Sequence, residues 1–287
     1  MRKGAVFLIF LFVIIGVWKF ISKVVESTDN QLFYGVETKL VGRENINHGH
    51  KEVTERGVMP MHVIYNYLPD SKKGTIVKHK YYTLSYNEKY EQAEWVAYKL
   101  NGAFMTGTAK RASSFYNDKG VLTGSAHKND YKHSGYDRGH LLPAGDMKRS
   151  KEAMKETFYM SNITPQAPGL NRKAWKYLEE KIRDKTETCD SLYIITGPIV
   201  KEEHEKIGDN EVAVPFAFYK IILNYSNTAN LCAIAFIFPN KEVRKLTDEY
   251  IVDIDSVEVV TGHDFFSHLP VEVQEKFENN HCLQLLD

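Results

Sequence analysis

The sequence predicts an α+β fold with a mainly antiparallel sheet, and three observations carry that prediction. Apolar, β-rich runs at 192–196, 213–224 and 231–238 end at turn-forming residues, as core strands do. Good helix formers fill 171–185 and predict one long helix. Strand and helix segments do not alternate regularly, which favours antiparallel neighbours over a parallel βαβ arrangement.

Other segments extend this prediction along the chain. Aromatic and β-branched residues at 80–86 indicate a strand, 63–67 indicates the start of another, and 94–100 is either a strand or a short helix. Three short helices are predicted at 154–160, 241–250 and 271–277. With 287 residues the chain is long enough for a substantial core.

The first 25 residues are predicted to be a targeting or anchoring segment. Arg2 and Lys3 precede an uncharged apolar run at 5–18. This run is shorter than the ~20 residues of a membrane span, but flanking lysines can snorkel. An uncleaved signal anchor is therefore the first interpretation and a cleaved signal peptide the second.

This interpretation carries a prediction of location and domain order. The positive-inside rule leaves the N-terminus in the cytoplasm and the rest of the chain outside it, in a periplasmic or extracellular position at the membrane. Cleavage of the segment would make the protein secreted. Residues 26–60 are predicted to be a polar tether, and 61–287 the folded domain.

Charge is balanced over the whole chain but unevenly distributed. Lysine plus arginine and aspartate plus glutamate each number 37. Residues 110–151 hold nine basic and four acidic side chains, a net of +5, whereas 242–287 hold three and eleven, a net of −8. A basic face beside an acidic one suits a polyanion that must be oriented, although two ordinary solvated faces would also give this pattern.

The stretch Asp137-Arg138-Gly139-His140 concentrates the chemistry of the chain. A histidine can move a proton near neutral pH, and two leucines and a proline follow it, which places the imidazole at the mouth of a buried segment. The neighbouring guanidinium can grip a phosphate with two hydrogen bonds. The glycine lets the backbone take a conformation closed to other residues, or lets a ligand approach closely.

Two further clusters follow this stretch. One is Ser161-Asn162-Ile163-Thr164-Pro165-Gln166, and the other is the segment 170–179, with a Leu-Asn pair, a tryptophan and a Leu-Glu pair. With them the chain resembles the DNA/RNA non-specific endonuclease family, the ββα-metal nucleases of the endonuclease G type. The resemblance continues at 193–198, 214–220 and 261–266 and covers roughly residues 75–285. It implies a ββα-metal (His-Me finger) core on the antiparallel sheet, flanked by helices.

The resemblance implies roles for the catalytic residues. His140 would be the general base, and the side-chain oxygen of Asn171 would be the protein ligand of one Mg²⁺, with Mn²⁺ as a substitute. Magnesium prefers oxygen ligands and keeps several waters, so one protein ligand can suffice. Glu179, two helical turns further on, would hold the waters of the metal. Arg183, at i+4 from Glu179, would orient that carboxylate or contact phosphate; a plain surface ion pair is the alternative.

Four more assignments concern the surroundings. Arg138 and Arg111 would contact phosphate or stabilise the transition state. Asn162 would hydrogen-bond active-site groups, and Asp137 would fix Arg138 or the loop.

A site of one base, one metal ion and arginines reads phosphate and not bases, which predicts DNA and RNA as substrates with weak sequence preference. A phosphodiesterase for smaller nucleotide or other diesters remains the alternative. A zinc hydrolase would need clustered ligands, and the eleven histidines are scattered. A binding module without catalysis would be expected to lack His140 or Asn171. Family members are often dimers, so a homodimer stays open, as does an inhibitor protein.

The three cysteines, Cys189, Cys232 and Cys282, show no metal-binding spacing. One disulfide with one free thiol and three buried free thiols are both compatible with the sequence.

Overall fold

A computed structural model describes residues 67–71, 73–189, 191–225 and 231–271, together with 274 and 282. The predicted N-terminal segment at 1–25 and the tether at 26–60 lie outside the described residues. So do all but one residue of the strand start at 63–67 and most of the helix at 271–277.

A seven-stranded antiparallel sheet forms the body of the described chain, in the order β1-β2-β3-β6-β9-β10-β11. Its central strands are buried along almost their whole length, so both faces of the sheet are covered. That explains why they read as continuous apolar runs and not as alternating patterns. The strands are β1 (Thr75–Lys78), β2 (Tyr82–Asn87), β3 (Gln92–Leu100), β6 (Leu192–Ile199), β9 (Ala217–Asn224), β10 (Cys232–Pro239) and β11 (Ile251–Val252).

Two small hairpins lie beside the sheet. One pairs β4 (Asp137–His140) with β5 (Ile163–Gln166), and the other pairs β7 (Lys206–Ile207) with β8 (Val212–Ala213). The first is attached to the large sheet by the hydroxyl of Thr164, which donates to the side-chain oxygen of Gln92 at 2.7 Å. The segment that carries His140 is thereby fixed to a rigid strand.

The longest helix packs against the sheet, where Trp175 contacts Phe218 and Phe238. This helix, α3 (Trp175–Lys185), is preceded by a π-helical turn at Leu170–Ala174 and buries Trp175, Leu178 and Ile182. The other helices are α1 (Gly102–Met105), α2 (Lys151–Glu156) and α4 (Ile254–Thr261), and 3₁₀ turns occupy Ala144–Met147, Met160–Asn162 and Asp248–Tyr250.

The α+β class, the antiparallel sheet and most predicted strands are confirmed. The segment at 94–100 is a strand, and the run at 213–224 is broken near Pro215 into β8 and β9. The helix predicted at 171–185 forms, with a π-helical first turn. The helix predicted at 154–160 instead starts at Lys151, because the Ser150 side chain caps it.

The helix predicted at 241–250 is wrong, since only a 3₁₀ turn forms there. Backbone groups of Val243 bond across to Gly169 and Ala174 at the start of the α3 region, which draws this segment out of a helix. Helix α4 was not predicted, because its valines and isoleucine favour strands by propensity. It is held by an Asp253 N-cap and ends at Gly262 in the left-handed region (φ 70°).

The cysteines follow the first of the two alternatives. Cys232 and Cys282 form a disulfide, and Cys189 is a buried free thiol.

Candidate functional site

The Asp-Arg-Gly-His stretch forms strand β4, so backbone pairing with β5 positions its side chains. Gly139 lies opposite Thr164, and a methyl group at Gly139 would come within 2.5 Å of the side-chain oxygen of Gln166. Only glycine therefore fits this position without moving the hairpin. The next residue, His140, is placed by this packing.

His140 is buried between two aromatic rings. Its ring centroid lies 4.9 Å from that of Phe158 and 5.6 Å from that of Phe115. Burial, together with the nearby charge of Arg111, lowers the pKa of His140 to about 3, although a hydrogen bond with the Arg138 backbone acts in the opposite direction. The Nε2 atom is buried and has no hydrogen-bond partner in the described part of the chain. The imidazole is therefore neutral and presents a free nitrogen, as a general base requires.

Both predicted arginines lie against the same aromatic layer. The guanidinium carbon of Arg111 is 5.0 Å from the Phe158 ring centroid, and that of Arg138 is 5.6 Å from Phe115 and 5.7 Å from Tyr131. Arg138 also donates through Nε to the carbonyl oxygen of Lys128 at 3.1 Å. The two guanidinium groups thus lie against the aromatic rings that surround the imidazole.

Asn171 sits within the π-helical turn that precedes α3. Such turns are uncommon and occur frequently at functional sites. The Asn171 side-chain nitrogen donates to Oδ2 of Asp137 at 2.8 Å, and that oxygen also accepts from Nε of Arg172 at 2.8 Å. Among the described residues nothing donates to the amide oxygen of Asn171, which points away from Asp137.

Of the two roles predicted for Asp137, these contacts rule out the fixing of Arg138. Its carboxylate pairs with Arg172 and Asn171, whereas Arg138 bonds elsewhere. Burial alone would raise the pKa of Asp137, but the bonds from Arg172 and Asn171 outweigh it and hold the pKa below its usual value. Asp137 thus holds the Asn171 amide by its nitrogen and leaves the amide oxygen without a partner among the described residues.

The prediction that Arg183 pairs with Glu179 is also corrected. Arg183 Nη1 donates to Oδ1 of Asp146 at 2.8 Å, and Tyr98 donates to the other oxygen of the same carboxylate at 3.0 Å. Arg183 can approach because residue 145 is glycine; a methyl group there would lie 3.0 Å from Nη1. A buried acid in the turn after β4 thus outcompetes the helical neighbour.

Glu179 retains some solvent exposure, although protein atoms crowd its carboxylate. The pKa of Glu179 is raised to about 7, because burial and the charge of Asp146 raise it by more than the charges of Lys220, Arg183 and Arg111 lower it. The charge of Arg111 lowers the pKa of both His140 and Glu179.

Asn162 is fully buried, and its side chain forms hydrogen bonds with backbone groups. Its oxygen accepts from the amide of Leu142 at 2.9 Å, and its nitrogen donates to the carbonyls of Leu142 at 3.0 Å and Thr157 at 2.8 Å. It holds the segment that follows His140 and makes no contact with the imidazole in these bonds.

Sequence reasoning gave no role to Asp146, Lys220, Phe115 or Phe158. Asp146 follows the Asp-Arg-Gly-His stretch closely enough to have been suspected. Lys220 stands in an apolar run, where a lone charge is itself a signal. No local pattern distinguishes the two phenylalanines from core residues.

The donor set fits a hard cation that keeps most of its water. Within the described residues no group of three or more histidine, cysteine, aspartate or glutamate side chains could hold a metal ion. An uncommitted amide oxygen on Asn171, with a carboxylate two turns away, is a site of oxygen ligands.

Comparisons with known proteins agree on one family. Residues 61–272 match the family model described as DNA/RNA non-specific endonuclease. The chain is 34% identical over 227 residues to mitochondrial nuclease EXOG of Danio rerio, covering 72% of this chain and 66% of that protein. It is 33% identical over 195 residues to mitochondrial endonuclease G of Bos taurus, covering 63% and 65%. It therefore spans just under two thirds of these two relatives.

Bacterial and structural relatives give the same result. A nuclease of a Nostoc species is 34% identical over 209 residues, covering 69% of this chain and 75% of that protein. A crystal structure of the EndoG/EndoGI complex, described as showing the mechanism of EndoG inhibition, superposes with a TM-score of 0.67 at 31% identity. It covers 75% of this chain and 93% of that one.

The predicted membrane-anchored position outside the cytoplasm is wrong on these findings. The relatives from Danio rerio and Bos taurus are both named as mitochondrial. Among the helices in the described part of the chain, none has the length and apolar character needed to cross a membrane.

Proposed function

Because the chain belongs to the DNA/RNA non-specific endonuclease family, we propose that it hydrolyses phosphodiester bonds in DNA and RNA at the site around His140. The observation that carries the proposal is a pair of uncommitted atoms, Nε2 of the neutral His140 and the amide oxygen of Asn171. One suits a proton acceptor and the other suits a ligand for a hard cation.

The chain's own groups supply most of the reaction. His140 takes a proton from the attacking water through Nε2, so that the oxygen can bond to phosphorus as the bond to the leaving oxygen breaks. Arg111 and Arg138 stabilise charge on the phosphoryl oxygens from their places beside the aromatic rings. Glu179 accepts hydrogen bonds from water on the Asn171 side.

The nucleases of this family depend on a divalent metal ion. We propose Mg²⁺ held through Asn171, with Mn²⁺ as a substitute. When bound, the ion supplies positive charge for the phosphoryl and leaving oxygens. Asp137 would contribute by holding the Asn171 amide through its nitrogen, which leaves the amide oxygen for the ion.

The domain and partners are part of the same proposal. We assign the nuclease domain to 61–287, supported by the family match at 61–272. A homodimer and an inhibitor protein are the proposed partner classes besides nucleic acid; the second has support from the solved complex of EndoG with EndoGI. Light scattering on the purified chain decides between monomer and dimer.

The test is an assay of the purified full chain on supercoiled plasmid, single-stranded DNA, RNA and a small chromogenic diester, with Mg²⁺ and with excess EDTA. We expect cleavage of every polymer, little turnover of the diester and complete loss in EDTA. Activity confined to the small diester would replace the proposal with the phosphodiesterase alternative. Full activity in chelator would remove the metal from it.

A further inference from the structure

Lys220 is a buried charge that the proposed mechanism does not use. It lies in the middle of β9, opposite Thr196 on one neighbouring strand and Phe236 on the other. The side chain is fully buried, and its Nζ atom has no hydrogen-bond partner in the described part of the chain. A buried ammonium without compensation is strongly unfavourable, so its retention needs a reason.

The ammonium lies against one face of α3. Trp175, Glu179 and Arg183 follow each other at intervals of four residues and therefore share a helix face. Nζ of Lys220 is 4.7 Å from the ring centroid of Trp175, one turn before Glu179. The lysine thus reaches the helix face that carries the site's carboxylate.

The carboxylate of Asp146, another acidic group near Lys220, already has hydrogen-bond partners. Both oxygens of Asp146 accept hydrogen bonds, one from Arg183 at 2.8 Å and one from Tyr98 at 3.0 Å. No hydrogen bond or direct ion pair joins Glu179 to any described residue. Lys220 has the largest favourable electrostatic effect on it, and Arg183 and Arg111 have smaller ones.

We propose that Lys220 is a positioning residue whose buried ammonium supplies the counter-charge that holds the Glu179 carboxylate in place at the nuclease site. This inference rests on the proposed function of that site. The ammonium acts through space or through a water, since the two side chains do not form a direct pair. The mutual effect is reciprocal: burial lowers the pKa of Lys220, and Glu179 is the largest influence raising it.

A purely structural Lys220 predicts a different outcome. If the side chain only fills space beneath Trp175, methionine should replace it with unchanged or improved stability, because a buried charge is removed. If it is the counter-charge of Glu179, removing either partner alone leaves the other uncompensated, and removing both relieves that penalty. The two cases differ in the sign of the coupling between the two positions.

Thermal unfolding of the metal-free protein measures this coupling. Wild type, Lys220→Met, Glu179→Gln and the double variant are compared at pH 7.5, with Lys176→Met on the exposed side of α3 as a matched control. We expect each single variant at the pair to lose roughly 4–10 °C in Tm, and the double variant to recover most of that loss. Additive losses, or a Lys220→Met protein as stable as wild type, would overturn the proposal.

Plasmid cleavage by the same five proteins provides the second readout. Lys220→Met should lower kcat by about 10- to 100-fold with little change in KM, as for other residues that orient a metal site. On the Glu179→Gln background it should cause no further loss. Losses that multiply would contradict action through Glu179. A wild type without nuclease activity would refute the proposed function, while the unfolding cycle would still decide the coupling.

Discussion

The two halves of the site, one around His140 and one around Glu179, have opposite electrostatic designs. Around His140 the neighbours are aromatic rings, and the base nitrogen has no partner. Around Glu179 the neighbours are charges, with Asp146, Arg183 and Lys220 within electrostatic reach. Burial favours the neutral form of His140, whereas the cations around Glu179 favour its charged form.

Arg111 is the residue that joins these two designs. Its positive charge lowers the pKa of His140 and also that of Glu179. Both effects favour the deprotonated form, which is the base in one half and the anion in the other. One exposed arginine therefore favours the deprotonated form of both groups.

The largest expected effect comes from removing the base. His140→Ala should lower plasmid cleavage by roughly 100- to 10,000-fold, because no proton acceptor remains at Nε2. Circular dichroism should show an intact fold, since the hairpin is held by backbone pairing and by Asn162. His268→Ala, at an exposed histidine near Asp70, is the control and should keep full activity. Near-wild-type turnover by His140→Ala would remove His140 from the mechanism.

The hydrogen bond between Asp137 and Asn171 orients the amide that we propose as the metal ligand, and a variant of Asp137 tests this role. Asp137→Ala should reduce activity by about 10- to 100-fold and raise the Mg²⁺ concentration needed for half-maximal rate, because the Asn171 amide is released. Arg172→Ala removes the other partner of Asp137 but keeps the bond to Asn171, so its effect should be much smaller. Equal losses in the two variants would show that the Asp137–Arg172 ion pair, and not the amide, is what matters.

The same contrast explains what could be predicted from the sequence. Strands buried on both faces leave continuous apolar runs, so β6, β9 and β10 were recognisable. The order of the sheet and the failed helix at 241–250 depend on contacts between distant segments, such as Val243 with Gly169, which no local pattern encodes.

Site residues divide in the same way. His140 and Asn171 belong to compact motifs, whereas the partners of these residues come from elsewhere in the chain. Asp137 was expected to fix Arg138 or the loop, but neighbouring residues in a strand point to opposite faces, and its carboxylate pairs with Arg172 and Asn171. Arg183 was expected beside Glu179 because i+4 partners share a helix face, but a buried acid in another segment offered a better bond.

A variant of Phe158 tests whether the aromatic rings lower the pKa of His140. Phe158→Leu opens the ring packing, so water should raise the pKa of His140 from about 3 towards its ordinary value. The variant should lose only a few-fold in rate at pH 8 but progressively more below pH 7, where its base becomes protonated. The measurement is kcat/KM from pH 5 to 8, with Phe104→Leu as the control away from His140.

The pH dependence of folding stability is a second, independent test of how the aromatic rings affect His140. A histidine whose pKa is lower in the folded protein takes up a proton on unfolding, so wild type loses stability as pH falls below about 6.5. Phe158→Leu should weaken that dependence. Parallel pH profiles of wild type and variant in both measurements would show that the aromatic rings do not control His140.

The smallest expected effects concern substrate binding outside both halves. Residues 110–151 carry a net charge of +5, and Lys128, Lys132 and Lys148 are exposed there. If they contact phosphates, each lysine-to-alanine change should weaken binding a few-fold on DNA and RNA alike and reduce the slope of log affinity against log salt by roughly one. Lys245→Ala, in the acidic 242–287 segment, is the matched control and should leave the slope unchanged. Binding of several DNA and RNA sequences across a salt series measures both quantities. Because phosphate contacts carry no sequence information, a loss confined to one sequence, or a preference that persists at high salt, would indicate base contacts and contradict recognition through the backbone.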